Sequence, residues 1–335
     1  LNGVPQVIEI EKMGNSVFVF KTRYPVKYLS FIIGKFNKIK EDSDPMPVQV
    51  FASADVRFQR KTLYEETKDI LKFYESRFGP FPYEKLSIVQ RVWSTSGGHS
   101  PAAFIVLNEL PRAGNGRPLV NMDSPIDLSR WKEYFIAHEI AHQWWGQGVT
   151  WATYRDQWLS EGLSQFSAVL YLRMKYNEQV FRDILKKFSE WTEKKSKWGP
   201  ITLGSRLSYY DFDAYQAIIY NKASLALNML LDLLGEEIFF AGLREFFSIH
   251  KYGAASTHDF MRTFEKVSGK DLKIFFKTWF DSHLLPEVRV AHSIEKSEDG
   301  YLLKFKISQT REIFLFPLWL EWKEMGKRVI EKVII

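Results

Sequence analysis

The period of the hydrophobic pattern changes along the chain. In the first 50 residues apolar positions alternate with polar ones or form short runs, as in VIEIEK, SVFVFKT and KYLSFIIGKF, which predicts strands. From about residue 60, apolar residues recur every three or four positions up to Phe78, and Gly79 and Pro80 follow directly. This spacing predicts an amphipathic helix that ends at the glycine.

The rest of the chain divides into a helical half and a strand-rich end. Two short strand candidates, LSIVQRV and AFIVL, come first. Helical spacing then predicts helices at about residues 129–147, 156–176, 178–191, 213–234, 236–250, 257–267 and 271–282. After Pro286 strand alternation returns in EVRVAHSIEK, GYLLKFKIS, FLFPLWLEW and KRVIEKVII. We therefore expect an α/β (α+β) protein in three parts: 1–47, 48–285 and 286–335, with the acidic, proline-containing EDSDPMP at the first boundary.

Composition excludes several classes of protein. With 335 residues, 45% of them hydrophobic and 26% charged, the chain has ordinary globular composition, which excludes disordered and fibrous chains. The net charge is only +6, and the one dense lysine run (194–197) is typical of a solvated helix end, so we expect no nucleic-acid partner. The longest apolar runs are about seven residues, against the about 18 that span a bilayer, so no transmembrane segment is expected.

The first residue, Leu1, is not a methionine. We expect the chain to be a piece of a longer protein whose other domains pack on it. No signal segment opens the sequence, and the location of the longer protein stays open between the cell envelope and the cytoplasm.

The motif His138-Glu139-Ile140-Ala141-His142 carries the clearest chemistry. The chain has no cysteine, so histidine, aspartate and glutamate are its strong metal ligands. Residues four apart lie on one face of a helix, and both imidazoles can therefore reach one metal ion. Two such histidines with a glutamate after the first is the spacing of zinc hydrolases, in which the glutamate acts as general base toward a metal-activated water. The alternative is two helix histidines that share this spacing by chance.

A catalytic zinc ion needs a third protein ligand and an open position. Glu161 lies 18 residues after His142 in the sequence WLSEG, a separation that fits a helix, a short turn and the start of a second helix. The alternative is a glutamate on a helix surface, but its neighbours Trp158, Leu159 and Leu163 indicate a buried stripe. A buried carboxylate needs a partner, and a metal ion is one.

These two motifs resemble those of a known family. HEIAHQWWGQGVT and WLSEGLSQ are similar to the HELAHQWFGNLVT and WLNEGFA motifs of the gluzincin zinc aminopeptidases, of the aminopeptidase N and leukotriene A4 hydrolase type. The likeness extends over most of the chain, including SFIIGKF and RFGPFPYEKLSIVQ. It implies the end of a saddle-like N-terminal β-domain (1–47), a thermolysin-like catalytic domain (48–285) and a partial C-terminal β-sandwich (286–335).

The resemblance also implies roles for single residues. It assigns His138, His142 and Glu161 as ligands of one Zn²⁺ ion and Glu139 as general base. Tyr220, in AIIYNKA, resembles the tyrosine of the family's VYEKGA, whose phenol donates a hydrogen bond to the oxyanion of the tetrahedral intermediate. Tyr215 is predicted to lie beside it and to contact substrate.

Two further positions carry expectations. Asp156 is predicted either to accept a hydrogen bond from a ligand histidine or to be a surface aspartate at a helix start.

The segment Gly97-Gly98-His99-Ser100-Pro101 aligns with the family's substrate-anchoring G-A-M-E-N. Gly97, Gly98, His99 and Ser100 are therefore predicted to bind substrate, although the glutamate that holds a substrate's α-amine is replaced by Ser100, whose neutral hydroxyl cannot pair an ammonium group as a carboxylate does.

The sequence thus predicts zinc-dependent, aminopeptidase-like hydrolysis of peptide bonds. Three alternatives stay open: an endopeptidase with another anchor, a zinc hydrolase of another substrate class, and a non-catalytic module that binds zinc and peptide.

Overall fold

A computed structural model describes residues 4–6, 19–41, 47–54, 56, 62–93, 97–109, 130–131, 133–298 and 300–335. The first two strands, β1 (Val4–Gln6) and β2 (Val19–Lys21), form an antiparallel pair. The predicted strand VIEIEK lies outside the described residues. The prediction for KYLSFIIGKF is wrong, because residues 27–35 are irregular and the next strand begins at Phe36. Leu29 and Ile33 in this segment are 79% and 86% exposed. The apolar side chains of a strand stabilise it when they pack against neighbouring residues, and these two side chains are largely unpacked.

A five-stranded mixed sheet stands at the start of the helical half. Its strands are β3 (Phe36–Glu41), β4 (Val48–Ser53), β5 (Leu86–Val92), β6 (Gly97–His99) and β7 (Phe104–Glu109). The order is β3-β4-β5-β7-β6, in which β4, β5 and β7 are parallel and the two outer strands are antiparallel to their neighbours. The short strand β6 therefore forms an edge. Because β3 pairs with β4, this sheet contains strands from both sides of the domain boundary predicted after residue 47. The division of the chain into three parts stays a prediction.

The helices follow the predicted spacing closely. In chain order they are α1 (Leu63–Phe78), α2 (Glu133–Ala141), α3 (Trp158–Lys175), α4 (Glu178–Lys195), α5 (Arg206–Tyr210), α6 (Phe212–Tyr215), α7 (Ala223–Leu234), α8 (Glu236–His250), α9 (Thr257–Ser268) and α10 (Lys273–Phe280). A short parallel pair, β8 (Thr150–Trp151) and β9 (Ala254–Ala255), ties the turn after α2 to the start of α9. The mixed α/β class is confirmed.

Two helices differ from their predicted form. The helix expected over 129–147 is described only from Glu133 and ends at Ala141, because the chain turns back at Gly146, whose φ of +107° is available to glycine at little cost. The helix expected over 213–234 contains a π-helical segment, Gln216–Lys222, between α6 and α7. Segments of this kind are rare and occur frequently at functional sites.

Large aromatic side chains fill the core between these helices. Trp144, Trp145 and Trp158 are fully buried, and the Trp145 and Phe78 rings lie 5.2 Å apart. The stretch Phe212–Leu234 has the length and composition that could cross a membrane, but 72% of the qualifying window is buried inside the protein. A core helix meets the same criterion.

Two antiparallel hairpins end the chain. They are formed by β10 (Val288–Ser297) with β11 (Gly300–Gln309) and by β12 (Pro317–Glu324) with β13 (Lys327–Ile334). Both hairpins are largely exposed, but Phe314 between them is fully buried, 5.3 Å from the Trp279 ring of α10. This contact fixes the C-terminal part to the helical half.

Candidate metal centre

Three predicted ligands converge on one point. Nε2 of His138 lies 3.1 Å from Nε2 of His142, and Oε2 of Glu161 lies 3.6 and 3.3 Å from these two nitrogens. Ligand atoms about 2.0–2.1 Å from a tetrahedral zinc ion would lie about 3.3 Å from one another. The observed separations match that spacing, and two imidazoles with one carboxylate is a donor set that zinc favours, so the residues fit a zinc ion with one position left open.

Local helix geometry positions the two histidines. His138 and Glu139 lie on α2, and the hydrogen bond from His142 N to His138 O (3.4 Å) keeps His142 one turn further along the same face. Tyr74 of α1, fully buried, donates its hydroxyl proton to Ala137 O at 2.9 Å, directly before His138. The metal-binding turn is therefore anchored to a neighbouring helix.

The outer nitrogen of His142 has a well-defined set of partners. Nδ1 lies 3.1 Å from Trp145 O, 3.1 Å from Ser160 Oγ and 3.0 Å from Ser164 Oγ. A carbonyl can only accept, so Nδ1 carries the proton and Nε2 of the neutral ring is the free ligand atom. Sequence analysis missed both serines, although their i, i+4 spacing on the helix of Glu161 is a readable signal.

The charges of the centre favour a cation. Burial alone would lower the pKa of His142, but the carboxylate of Glu161 outweighs it and raises the pKa to about 9. Burial would raise the pKa of Glu161, and the two histidines hold it well below its usual range instead. An ionised carboxylate beside the histidines thus draws positive charge into a buried position, as a metal site requires.

Glu139 contacts the edge strand β6, and its charge also acts on His142. Its side chain is buried, and Ser100 donates its hydroxyl proton to Oε2. A Cβ atom added to Gly98 would lie 2.8 Å from Glu139 Cγ, so only a glycine allows the strand to approach this closely. The structure therefore brings Gly98, Ser100 and Glu139 together.

Tyr220 and Tyr215 lie beside the centre. The Tyr220 ring stacks at 5.9 Å on the His138 ring, and the Tyr215 ring lies 5.5 Å from that of Tyr220. Burial, and then the charge of Glu161, raise the pKa of Tyr220 well above its usual value, so its phenol stays protonated and is a hydrogen-bond donor.

Other predicted positions lie further out. Asp156 does not contact a ligand histidine: it is buried, and its Oδ1 accepts hydrogen bonds from Thr257 N and Oγ1 at 2.7 and 2.9 Å. The predicted contact with a ligand histidine and the predicted surface exposure are therefore wrong. The predicted position at a helix start is confirmed, because Asp156 Oδ2 accepts hydrogen bonds from Thr153 N and Oγ1 at the short helical turn Tyr154–Asp156, while its Oδ1 fixes the start of α9. His99 is exposed and stacks at 6.0 Å on the Tyr28 ring. Gly97, with φ of +118°, lies two residues before His99 on β6. Substrate contact at these two residues stays a prediction.

A histidine pair on one helix, a glutamate from the next and a mixed α/β domain around them define the gluzincin class of zinc sites. The profile of the Peptidase family M1 domain matches residues 63–279, more than half of the chain. The protein belongs to this family, which confirms the resemblance read from the two motifs.

Named relatives agree with this assignment. The chain is similar to Aminopeptidase 2 of Candida albicans (23% identity over 306 residues, 88% of this chain and 32% of the relative). It is also similar to Endoplasmic reticulum aminopeptidase 2 of Bos taurus (27% identity, 77% of this chain and 28% of the relative). The chain thus spans about a third of the length of the curated relatives it matches.

Solved structures share the fold. The structure of an M1 zinc metallopeptidase from Deinococcus radiodurans superposes with a TM-score of 0.62 at 17% identity, over 85% of this chain and 61% of that one. The thermolysin-like arrangement implied by the motifs therefore has structural counterparts.

Proposed function

We propose that this protein hydrolyses peptide bonds with one zinc ion held by His138, His142 and Glu161. The observation that carries the proposal is the placement of two further groups beside the three ligand atoms: the charge of Glu139 acts on His142, and the Tyr220 ring, with its phenol protonated, stacks on the His138 ring. A peptide carbonyl bound between them would meet a base and a hydrogen-bond donor at once.

Each residue has a distinct task in this proposal. When bound, zinc supplies Lewis-acid chemistry that activates water and polarises a carbonyl. Glu139 accepts the proton of the attacking water and delivers it to the leaving amine. Tyr220 donates a hydrogen bond to the oxygen that becomes negative as the carbonyl carbon turns tetrahedral. Tyr215, whose ring lies 5.5 Å from that of Tyr220, packs against it and keeps that side chain in place.

The names of the relatives favour peptides with a free N-terminus as substrates. One observation favours a second candidate, an endopeptidase or a peptidase of N-blocked peptides. In the loop that resembles the amine anchor, position 100 is a serine, and its hydroxyl proton is directed to Glu139. A buried ammonium group without a carboxylate partner is costly, so a substrate without that charge suits this loop better.

The test is a peptide-library digest of the zinc-loaded protein, with the zinc content of each variant measured beside it. We expect Glu139→Gln to lower the cleavage rate about 10²–10⁴-fold, the contribution typical of a general base, with zinc content unchanged. Glu237→Gln, at an exposed position of α8, is the control and should cleave like the wild type. A Glu139→Gln variant that cleaves at the wild-type rate would refute the proposed mechanism.

The same digest separates the two substrate classes. Matched peptides with free and acetylated N-termini are compared at equal concentration. Cleavage confined to free N-termini supports an aminopeptidase, and a preference for acetylated peptides or internal bonds supports the second candidate.

A further inference from the structure

We propose that Ser100 is a positioning residue for the general base rather than a substrate anchor: its hydroxyl holds the Glu139 carboxylate in the orientation that accepts the proton of water. This inference rests on the proposed function of Glu139. It gives Ser100 a role different from that of the glutamate at the matching position of the G-A-M-E-N motif.

The contact is buried and direct. Ser100 and Glu139 are each 6% exposed, and Ser100 Oγ donates to Glu139 Oε2. A hydroxyl has one proton to donate, and this one is committed to the carboxylate. In this proposal the other oxygen, Oε1, which lies next to Gly98, accepts the proton of water. A hydrogen bond to an ionised carboxylate is among the stronger ones in proteins.

The backbone that carries Ser100 is fixed to the turn that follows α2. Gln143, fully buried in that turn, donates to Pro101 O at 3.2 Å and accepts from Ala103 N at 2.8 Å. Ala103 has a φ of +64°, a conformation that a non-glycine residue keeps only where its surroundings determine it. These bonds hold the loop that contains Ser100 against the turn after α2.

Gly98 limits the carboxylate from the other side. Its Cα lies so close that an added Cβ would stand 2.8 Å from Glu139 Cγ. The Glu139 side chain is thus confined between the backbone of β6 and the Ser100 hydroxyl.

Steady-state kinetics on a cleaved peptide test the inference. Ser100→Ala and Ser100→Cys remove the donor or replace it by a weak one, and either should lower kcat about 10- to 100-fold with KM within about twofold, since the lost contact orients the base and does not bind substrate. Ser100→Thr keeps the hydroxyl and should recover most of kcat. Ser293→Ala, on the exposed strand β10, is the matched control.

A double variant shows whether Ser100 acts through Glu139. In the Glu139→Gln background, Ser100→Ala should cause no further loss of the residual rate. A raised KM with unchanged kcat, an unchanged kcat, or a full additional loss in the double variant would each overturn the inference. If the wild type cleaves but Ser100→Ala is equally active, this inference alone fails. If the wild type shows no Glu139-dependent cleavage, the proposed function and this inference fail together.

Discussion

Among the residues of the centre, His142 links protonation to metal binding most directly. The nitrogen of its imidazole that faces Glu161 and His138 can bind a metal ion. When no metal ion is bound, the same nitrogen binds a proton. A histidine binds zinc only through a neutral nitrogen. Proton and metal therefore compete for one ring.

This competition predicts a pH-dependent zinc affinity. Because the pKa of His142 is raised to about 9, the apparent Kd for zinc should fall about tenfold per pH unit between about pH 6 and pH 8, and level off above about pH 9. Isothermal titration calorimetry in two buffers of different ionisation enthalpy would measure both the Kd and the released proton. A Kd that does not change between about pH 6 and pH 8 would contradict the raised pKa of His142.

The same shift has a consequence for the metal-free protein. The pKa of His142 in the folded protein is higher than its usual value of 6.5, so protonation of His142 stabilises the folded state. This stabilisation is complete below pH 6.5 and is lost as the pH rises through about 9. The His142–Glu161 pair should therefore favour the folded metal-free protein at neutral pH and not at pH 10.

Tyr220 gives a second prediction for a single residue. Tyr220→Phe removes only the phenol oxygen, so we expect kcat to fall about 10²–10³-fold, as when one oxyanion donor is lost. KM and zinc content should change little, because the hydroxyl is not among the three metal ligands. Tyr301→Phe, 77% exposed on β11, serves as the control. An unchanged kcat would remove Tyr220 from the mechanism.

At the scale of elements, the contact between α3 and the π-helical segment decides the geometry of the centre. Gly162 follows the ligand Glu161 on α3, and a Cβ atom there would lie 2.6 Å from Ala223 Cβ and 3.2 Å from Ile219 O. The two helical segments approach closely at this point, which places Glu161 beside Tyr220. The π-helical turn directs Tyr220 toward the metal ligands.

Gly162→Ala should separate these segments. We expect a loss of about 1–3 kcal/mol in the free energy of unfolding, typical of overpacking, and a lower kcat because Tyr220 moves away from the metal ligands. Urea unfolding and peptide kinetics measure the two effects. Gly253→Ala is the control, since Gly253 is exposed and an added Cβ meets only His250 O at 3.4 Å. Wild-type stability of Gly162→Ala would show that the helices can separate without cost.

At the scale of the whole molecule, the C-terminal hairpins are attached to the helical half through an aromatic cluster at α10 and through a contact with α7, where Lys332 Nζ donates to Asp232 O at 2.9 Å. Phe314 is fully buried against Trp279, and Trp279 Nε1 donates to Leu315 O at 3.2 Å. Phe316 adds a second ring, 6.2 Å from Trp279. The hairpins themselves expose apolar side chains such as Trp319 and Ile294 (55% and 64% exposed). That further domains of a longer chain cover them stays a proposal.

Phe314→Ala should weaken this attachment. A buried phenylalanine truncated to alanine costs about 3–5 kcal/mol, so the urea midpoint should fall clearly. Zinc content should be retained, because within the described residues the partners of the three candidate ligands lie on α2, α3 and the π-helical segment and not on the hairpins. The neighbouring Ile313→Ala is the control, since Ile313 is 72% exposed. Equal midpoints for the two variants would show that Phe314 does not hold the hairpins.

The sequence predictions were accurate where a structure depends on residues close together in the chain, and wrong where it depends on residues far apart in the chain. The helix over residues 63–78 was predicted because its apolar stripe and its stop at Gly79 are local signals. The strand expected in KYLSFIIGKF failed because a strand needs a neighbour that its own sequence does not contain. The early end of α2 at Ala141 and the π-helical segment also depend on contacts from elsewhere in the fold.

The sequence alone predicted the three candidate metal ligands that converge in the fold, since residues four apart on a helix share a face wherever that helix lies, and the WLSEG motif marked the third of them. The tertiary structure decided what surrounds them. Ser100 lies 39 positions from Glu139, and Ser160 lies 18 from His142. Such pairs form only when separate elements pack together, because spacing along a chain encodes the geometry of one helix and not the distance between two elements.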